Sequence, residues 1–456
     1  MWRNPACFIF SSNGTRFTCL QMDLFRKFDV WFYYIVCEEC FIIGESNKSI
    51  MNLQPNDPLR LDDADVEFAT LRIREMGLLG DGVAIFEEDE IPVFGGLAGE
   101  LVKARIYRYS RRKKNLITAI VIEVIESSPK RVKPPCQYFI SCSGCQWQHM
   151  EYSSQLIEKR NYVVKQMQEY ENLKEVSIEP TLPSPQQYNY RNHARFTVRF
   201  GGQLGFSNRI TRRFVKVDEC RLMDPLINET LSGIQGKCTE TSNLSVRVGS
   251  NTGDRLIQPT LSNPEIPYET GQKWYRERLN STEFRVASPS FFQVNTKQAE
   301  LMIKLVVDNF ELCGHETVVD AYAGVGTFAI ELASKVGRVV AIEESLSAVK
   351  DSSYIFGHVD NVDFKLGKTE DVLPTLDHEV DALIIDPPRV GCHPNVLNSI
   401  IGLSPLKIAY VSCDPVTLAR DLNILVSGGY QVTRIEPIDM FPQTHHVECV
   451  AMLRFA

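Results

Sequence analysis

Thr317–Ala333 reads TVVDAYAGVGTFAIELA, and the order of residue types in it decides the fold. It is a strand, a glycine turn and a helix in immediate succession. The same alternation continues outward. Thr317–Tyr322, Arg338–Glu343, Val362–Leu366, Ala382–Ile385, Lys407–Val411, Val432–Pro437 and Val447–Leu453 read as strands, with helices near 300–310, 327–336, 345–357, 394–403 and 416–426. Continuous apolar strands alternating with helices predict an α/β fold with a mostly parallel, doubly wound sheet. Ligands of such sheets sit outside the carboxyl ends of the strands.

The glycine turn lies at such an end. Gly324 and Gly326 let backbone N–H groups approach a ligand at the start of the following helix. Gly324-x-Gly326-x-x-Ala329 also satisfies the relaxed dinucleotide fingerprint, and a tight turn with no ligand is the bland reading. Asp320, before the glycines, can accept from a cationic amino group, which favours S-adenosylmethionine. Glu343, closing the next strand, can take both ribose hydroxyls, but would do so for a nicotinamide cofactor too.

Three further residues stand at predicted strand ends. Asp386 follows an apolar strand in IIDPPRVG (Ile384–Gly391), where an unpaired carboxylate is costly to bury. A helix cap with a rigid turn is its structural alternative, and Asp-Pro-Pro also occurs in enzymes that methylate exocyclic amines. Cys413, in YVSCDPVTLARDL (Tyr410–Leu422), ends the next strand. The helix predicted to begin at Pro415 is expected to lower its pKa. Glu448 is an acid inside the final strand, in THHVECVAML (Thr444–Leu453). His445 and His446 read as surface or structural, Cys392 and Cys449 as packing thiols. A core thiol and a structurally paired acid are the bland readings of these two. Nucleophile plus carboxylate suggests a mechanism in which a thiolate adds to C6 of uracil, C5 becomes nucleophilic enough to take a methyl group, and a base removes the C5 proton.

A second cysteine group precedes this region. PPCQYFISCSGCQWQHM holds Cys136, Cys142 and Cys145, and Cys220 follows in VDECRLMDP. Spacing alone indicates a four-thiolate site for zinc or for iron and sulfur.

Five pieces together resemble the RNA (uracil-5-)-methyltransferases, in the branch with an iron–sulfur cluster and an N-terminal TRAM barrel, typified by enzymes of 23S ribosomal RNA. They are SPSFFQVN (Ser288–Asn295), DAYAGVGTF, DPPRVGCHP, YVSCDPVTLARDL and HVECV. The resemblance runs from about residue 66 to residue 456. It implies Cys413 as nucleophile, Glu448 as proton acceptor, and Gln293, Tyr322, Thr327, Glu343 and Asp386 around S-adenosylmethionine. Thr327 stands where relatives often carry Asn, and Asp414 replaces the Asn that commonly follows the nucleophile. It also selects a [4Fe–4S] cluster on Cys136, Cys142, Cys145 and Cys220, and implies an OB-like TRAM β-barrel ahead of a small α+β iron–sulfur and RNA-binding domain.

The rest of the chain is consistent with this. A length of 456 residues exceeds one compact core. The expected division is an atypical extension at 1–60, a β-barrel at 61–127 ended by Pro129, Pro134 and Pro135, a central domain at 128–283 and the catalytic domain at 284–456. A helix is expected over Glu151–Tyr170, short strands over 190–222, and Gly233–Gly271 has no readable pattern. Net charge is −8, yet Val102–Lys133 carries ten Lys/Arg against two Glu, and Arg191–Arg221 eight against two acids. Both are threaded with aromatics (Tyr107, Tyr109, Phe196, Phe200, Phe206, Phe214), as a nucleic-acid surface would be. Thirteen cysteines in so long a chain fit a reducing cytoplasm, not a disulfide scaffold. The apolar run Val30–Val36 is too short to span a membrane, no signal peptide is readable, and Met51 is the expected native start. The expected partner is structured RNA, ribosomal before transfer RNA, with no membrane, no obligate protein partner and a monomeric state. A nicotinamide oxidoreductase and a non-enzymatic RNA-binding protein are the competing classes.

Overall fold

The structure, a computed structural model, describes residues 67–111, 114–376 and 379–456. The run Val30–Val36 and the Met51 start lie outside the described residues. No described helix is long and apolar enough to cross a membrane.

The chain first forms β1 (Phe68–Arg72), β2 (Glu75–Met76), β3 (Gly82–Phe86), β4 (Asp89–Phe94), β5 (Leu101–Arg111) and β6 (Lys114–Glu126), in one sheet of order β1-β5-β6-β4-β3-β2. β1 and β2 occupy opposite edges, yet only Ile73 and Arg74 separate them. Ile73 N donates to Glu100 O (2.9 Å) and Arg74 N to Val83 O (2.8 Å), so one continuous stretch pairs with both edges. Leu71, Ile91, Val93, Val102 and Ala119 fill the interior. Glu100 is buried at its base, held by Arg131 Nε (2.6 Å) and by the N–H groups of Leu97 (2.9 Å) and Ser128 (3.1 Å).

Next come α1 (Tyr152–Met167) and an antiparallel sheet of order β11-β10-β7-β8-β9, made of β7 (His193–Arg199), β8 (Gln203–Ser207), β9 (Phe214–Lys216), β10 (Asn243–Val248) and β11 (Arg255–Gln258). α2 (Pro225–Ile234) packs under this sheet, its N-terminus capped by Asp224. The stretch Gly233–Gly271 thus holds two strands, and Leu244, Val246 and Val248 alternate inward along β10. A hairpin of β12 (Trp274–Leu279) and β13 (Thr282–Ala287) leads into α3 (Thr296–Phe310).

The last sheet has seven strands: β14 (Thr317–Ala321), β15 (Arg338–Glu343), β16 (Val362–Leu366), β17 (Ala382–Ile385), β18 (Lys407–Ser412), β19 (Tyr430–Ile438) and β20 (Glu448–Phe455), in the order β16-β15-β14-β17-β18-β20-β19. Pairing is parallel except around β20, which is antiparallel to both neighbours. α4 (Thr327–Ala333), α5 (Leu346–Phe356), α6 (Thr369–Val372), α7 (Pro394–Leu403) and α8 (Pro415–Ser427) connect the strands. Successive residues point to opposite faces. Val318, Ile384 and Ala409 join the core on the α3–α4 side, whereas Val319, Leu383 and Ile408 join that on the α7–α8 side. α1 also serves this second face, burying Val163 and Met167 in it. The seven strands read from the sequence are all present, in a doubly wound α/β layer.

Candidate active site

The carboxyl ends of β14, β17 and β18 meet the start of β20. In the β18–β20 pair Ser412 lies opposite Cys449, and one further step of that antiparallel register sets Cys413 opposite Glu448. Residues opposed in this way bring side chains to within about 5 Å. Cys413 is half-buried and Glu448 is buried. Asp386 follows β17 directly, its N–H reaching Ala321 O at 3.4 Å.

Among the described residues, no ion pair joins these groups to a buried cation. Burial first, then Asp386, holds the Glu448 carboxyl well above its usual range, with Arg389 opposing. Burial pushes Asp386 up to about 7. Burial, Asp386 and Glu343 push Asp320 up to about 8. Burial and Glu448 push the Cys413 thiol up to about 11, against the pull of Arg389. This corrects the expectation that the following helix lowers that pKa. The free N–H groups of α8 are already taken: Asp414 accepts from Val416 N (3.0 Å) and Thr417 N (3.2 Å), and its own charge adds to the upward push.

The residues expected around the cofactor fit a cationic, ribose-bearing molecule. Asp320 is fully buried; one oxygen accepts from Ala329 N (3.0 Å) and the other has no partner. An orphaned buried carboxylate oxygen facing other acids is a place for a positive charge. Gly324 has φ +58° with open space where a Cβ would stand, and Gly326 has φ +88° against Phe356 and Phe364. Glu343 accepts from Gly324 N (2.8 Å) and Ser345 N (2.7 Å), which orients both oxygens and leaves each a further lone pair. Tyr322 takes a left-handed backbone (φ +65°) and touches Cys392 and Thr369. Thr327 opens α4. Gln293 precedes α3 in a tethered segment, where its carbonyl receives Asn192 Nδ2 at 3.1 Å and Asn295 caps the helix.

Three charged residues of this region were not singled out from the sequence. Arg389 stands in the quoted DPPRVGCHP motif and is exposed; it is the cation nearest Cys413 and Glu448 in effect. Asp439 and Lys159 form an ion pair with both side chains fully buried. Asp439 also accepts from Tyr152 OH (2.7 Å), and Lys159 Nζ donates to Phe441 O (3.1 Å). Around them Gln155 bonds Gln443 twice, at 3.0 Å each, and Trp147 N donates to Gln443 O (3.1 Å). The segment that leads into Glu448 is therefore clamped by α1 and by the turn just after Cys145. His445 and His446 stack on each other with ring centroids 4.0 Å apart; burial pushes their pKa values down to about 3 and about 4, so both rings stay neutral. Cys392 and Cys449 are buried, as expected of packing thiols.

Cys136, Cys142, Cys145 and Cys220 come together from two segments, half-buried and unbridged. Burial, then the Cys220 and Cys136 thiols, pushes Cys142 up to about 12, and burial with Cys220 raises Cys145. Gln148 Nε2 donates to Cys145 Sγ at 3.1 Å. Among the described residues, no three His, Cys, Asp or Glu side chains are grouped tightly enough for a single metal ion.

The basic stretches are partly structural. Arg131 serves Glu100 and Arg209 serves Asp81. Phe196 is core and Phe206 packs on it. Phe200, 75% exposed, packs edge-to-face on half-buried Phe214, with ring centroids 5.7 Å apart.

Comparison with known proteins agrees with this geometry. The family model for tRNA (uracil-5-)-methyltransferase matches residues 274–455. An uncharacterized RNA methyltransferase of Gloeobacter violaceus is 31% identical over 84% of the chain and 96% of its own length. One from Synechocystis is 32% identical over 84% and 95%. Among solved structures, a Pyrococcus abyssi tRNA (uracil-54, C5)-methyltransferase in complex with S-adenosyl-L-homocysteine superposes with a TM-score of 0.65 at 24% identity, over 84% of this chain and all of that one. Sequence kinship along nearly the whole described length, on a methyltransferase fold, has one reading: the chain belongs to the RNA (uracil-5-)-methyltransferase family and is an enzyme of that kind.

Proposed function

We propose that the protein methylates C5 of a uridine in structured RNA, with S-adenosylmethionine as donor and 23S ribosomal RNA as the favoured substrate. The carrying observation is the register in which Ser412 faces Cys449, whose next step opposes Cys413 to Glu448, with both Glu448 and Asp386 acting electrostatically on the thiol. When bound, S-adenosylmethionine supplies the electrophilic methyl group and a positive charge to a site rich in acids. Asp320 and Asp386 would meet its cationic amino acid end, Glu343 would take the ribose, and Gln293, Tyr322 and Thr327 would complete the donor's surroundings. Once its thiol has given up its proton, Cys413 adds to C6 as the thiolate, which makes C5 nucleophilic toward the methyl group. Glu448 then removes the C5 proton, so that the thiol leaves. A carboxyl whose pKa is raised is a stronger base once ionised, which suits that step. The test is an RNA substrate carrying 5-fluorouridine, which cannot lose a proton from C5. A covalent complex that forms only with the methyl donor is expected, and none forming overturns the reading.

The N-terminal sheet, closed from β1 to β2 through Ile73 and Arg74, is read as the TRAM barrel, ahead of a central RNA-binding module and the catalytic domain. The four cysteines are read as holding a [4Fe–4S] cluster. What supports the reading is the donor set, four unbridged thiols drawn from two segments, since thiolate sulfur is the usual ligand of such clusters. Anaerobic protein is expected to be brown and to contain iron; stoichiometric zinc overturns this assignment alone. Transfer RNA is the second reading, favoured by the likeness to a tRNA enzyme of P. abyssi. Mapping 5-methyluridine in RNA from cells lacking the gene decides between them.

A further inference from the structure

Gly77–Asp81, between β2 and β3, is a tight turn with two large apolar residues at its tip. Leu78 is 51% and Leu79 61% exposed. Turn tips ordinarily carry small polar residues, because they face water and pack on nothing. One exposed leucine is unremarkable, but two neighbours on a rigid support are a different object.

The support is extensive. Gly77 N donates to Asp81 O (2.7 Å) and Gly80 N to Gly77 O (3.0 Å), which closes the turn. Trp147 Nε1 donates to Gly80 O at 2.8 Å. Gly80 has φ +77° and lies flush on His445, where an added Cβ would stand 2.6 Å from the histidine Cβ. Asp81 is buried and paired with Arg209, which itself stacks over Phe94 at 4.8 Å. The turn is thus fastened to the segment that carries Glu448, three residues beyond His445, and to the turn beside Cys145. Its two leucines project from a base that cannot yield.

The chemistry of the site supplies the occupant. Glu448 and Asp320 are buried and Cys413 is half-buried, so a base still stacked in a helix cannot reach the thiol and must leave the stack. Proteins that open a stack often insert a stiff apolar side chain at the step being opened. Arg389 is exposed, and both it and the turn's anchor Arg209 act electrostatically on His445, the residue beneath Gly80, so the turn stands in positively charged surroundings suited to a phosphate backbone. We propose that Leu78 and Leu79 form an apolar wedge that enters the RNA stack next to the target uridine and holds the gap open while the base occupies the site. This rests on the methyl-transfer reading above.

The probe is total RNA from cells lacking the gene, refolded with magnesium. Single-turnover methyl incorporation and RNA retention on filters are measured with the full-length protein. The double variant Leu78→Ser/Leu79→Ser is expected to lower the rate of methyl transfer by roughly 10- to 100-fold, the scale of an unstacking step. Its RNA dissociation constant is expected to stay within about threefold of the parent and its melting temperature to be unchanged, because both side chains are exposed. Leu78→Met/Leu79→Met, which keeps apolar bulk, is expected to restore the rate. An unchanged rate overturns the wedge. So does a fall in rate matched by an equal fall in affinity, which marks the leucines as an ordinary contact. A parent protein that forms no 5-methyluridine in this RNA overturns the methyl-transfer reading instead.

Discussion

Two buried charged regions lie along the same C-terminal stretch, and they are built on opposite terms. Around Asp439 every strong group has a partner: Lys159 and Tyr152 on the carboxylate, Phe441 O on the ammonium, Gln155 and Gln443 on each other. Around Cys413, a few residues away across β20, Asp320, Asp386 and Glu448 crowd together, and all three carboxyls and the thiol are raised. The first region is finished without a ligand; the second leaves its acids without an ion-pair partner among the described residues, as the proposed binding of a cationic donor would require. Polar satisfaction marks a support, and its absence in the same chain marks a site.

The contrast can be broken most severely at the thiol. Cys413→Ala is expected to lower single-turnover methyl transfer by more than about a thousandfold, since the proposed route loses its nucleophile. RNA retention should stay within about threefold; a variant that still methylates refutes the covalent route. At the support, Lys159→Met strands a buried carboxylate and should lower unfolding free energy by about 3–5 kcal/mol in denaturant titration. Lys159→Met with Asp439→Leu should recover most of that loss. A double variant no better than the single one would mean the pair is not the unit described.

A pH series sharpens the comparison further. Asp320 and Asp386 have folded-state pKa values of about 8 and about 7, above the 3.8 of an unfolded aspartate. The folded, ligand-free protein then holds protons that the unfolded chain has released. Their stabilising contribution is whole below about pH 4 and is lost as pH rises through about 7 to 8. The melting temperature of ligand-free protein is expected to fall over that window. Asp386→Asn should flatten the fall, and identical slopes in the two proteins would contradict the raised pKa. The smallest effect is expected at Thr327→Val, which removes one neutral hydroxyl beside the glycine turn. Calorimetry with S-adenosylhomocysteine should show less than about a tenfold loss of affinity.

The catalytic sheet was legible because its strands are continuous apolar runs ending at chemically conspicuous residues, so strand ends and site candidates appear together. β10 was not: its inward Leu244, Val246 and Val248 form one short alternation inside a polar stretch, too brief to stand out. Glu448 and Cys413 could be named from the sequence, but the direction of the thiol's pKa could not. It depends on Asp414 occupying the helix end and on acids arriving from other strands. The Lys159–Asp439 pair was invisible for a simpler reason: 280 residues separate its members, and a helical pattern around Lys159 says nothing of what that lysine meets.

α1 carries a consequence for how the molecule can be divided. It lies on the nucleotide-fold sheet and lends Val163 and Met167 to that sheet's interior, while its Lys159 meets the only charge buried in the 439–446 bend. A fragment starting at 284 would therefore bare a greasy flank and an uncompensated aspartate at once. Such a truncation is expected to fold poorly on its own: the helix that begins at Tyr152 is as much a component of the seven-stranded layer as any strand within it.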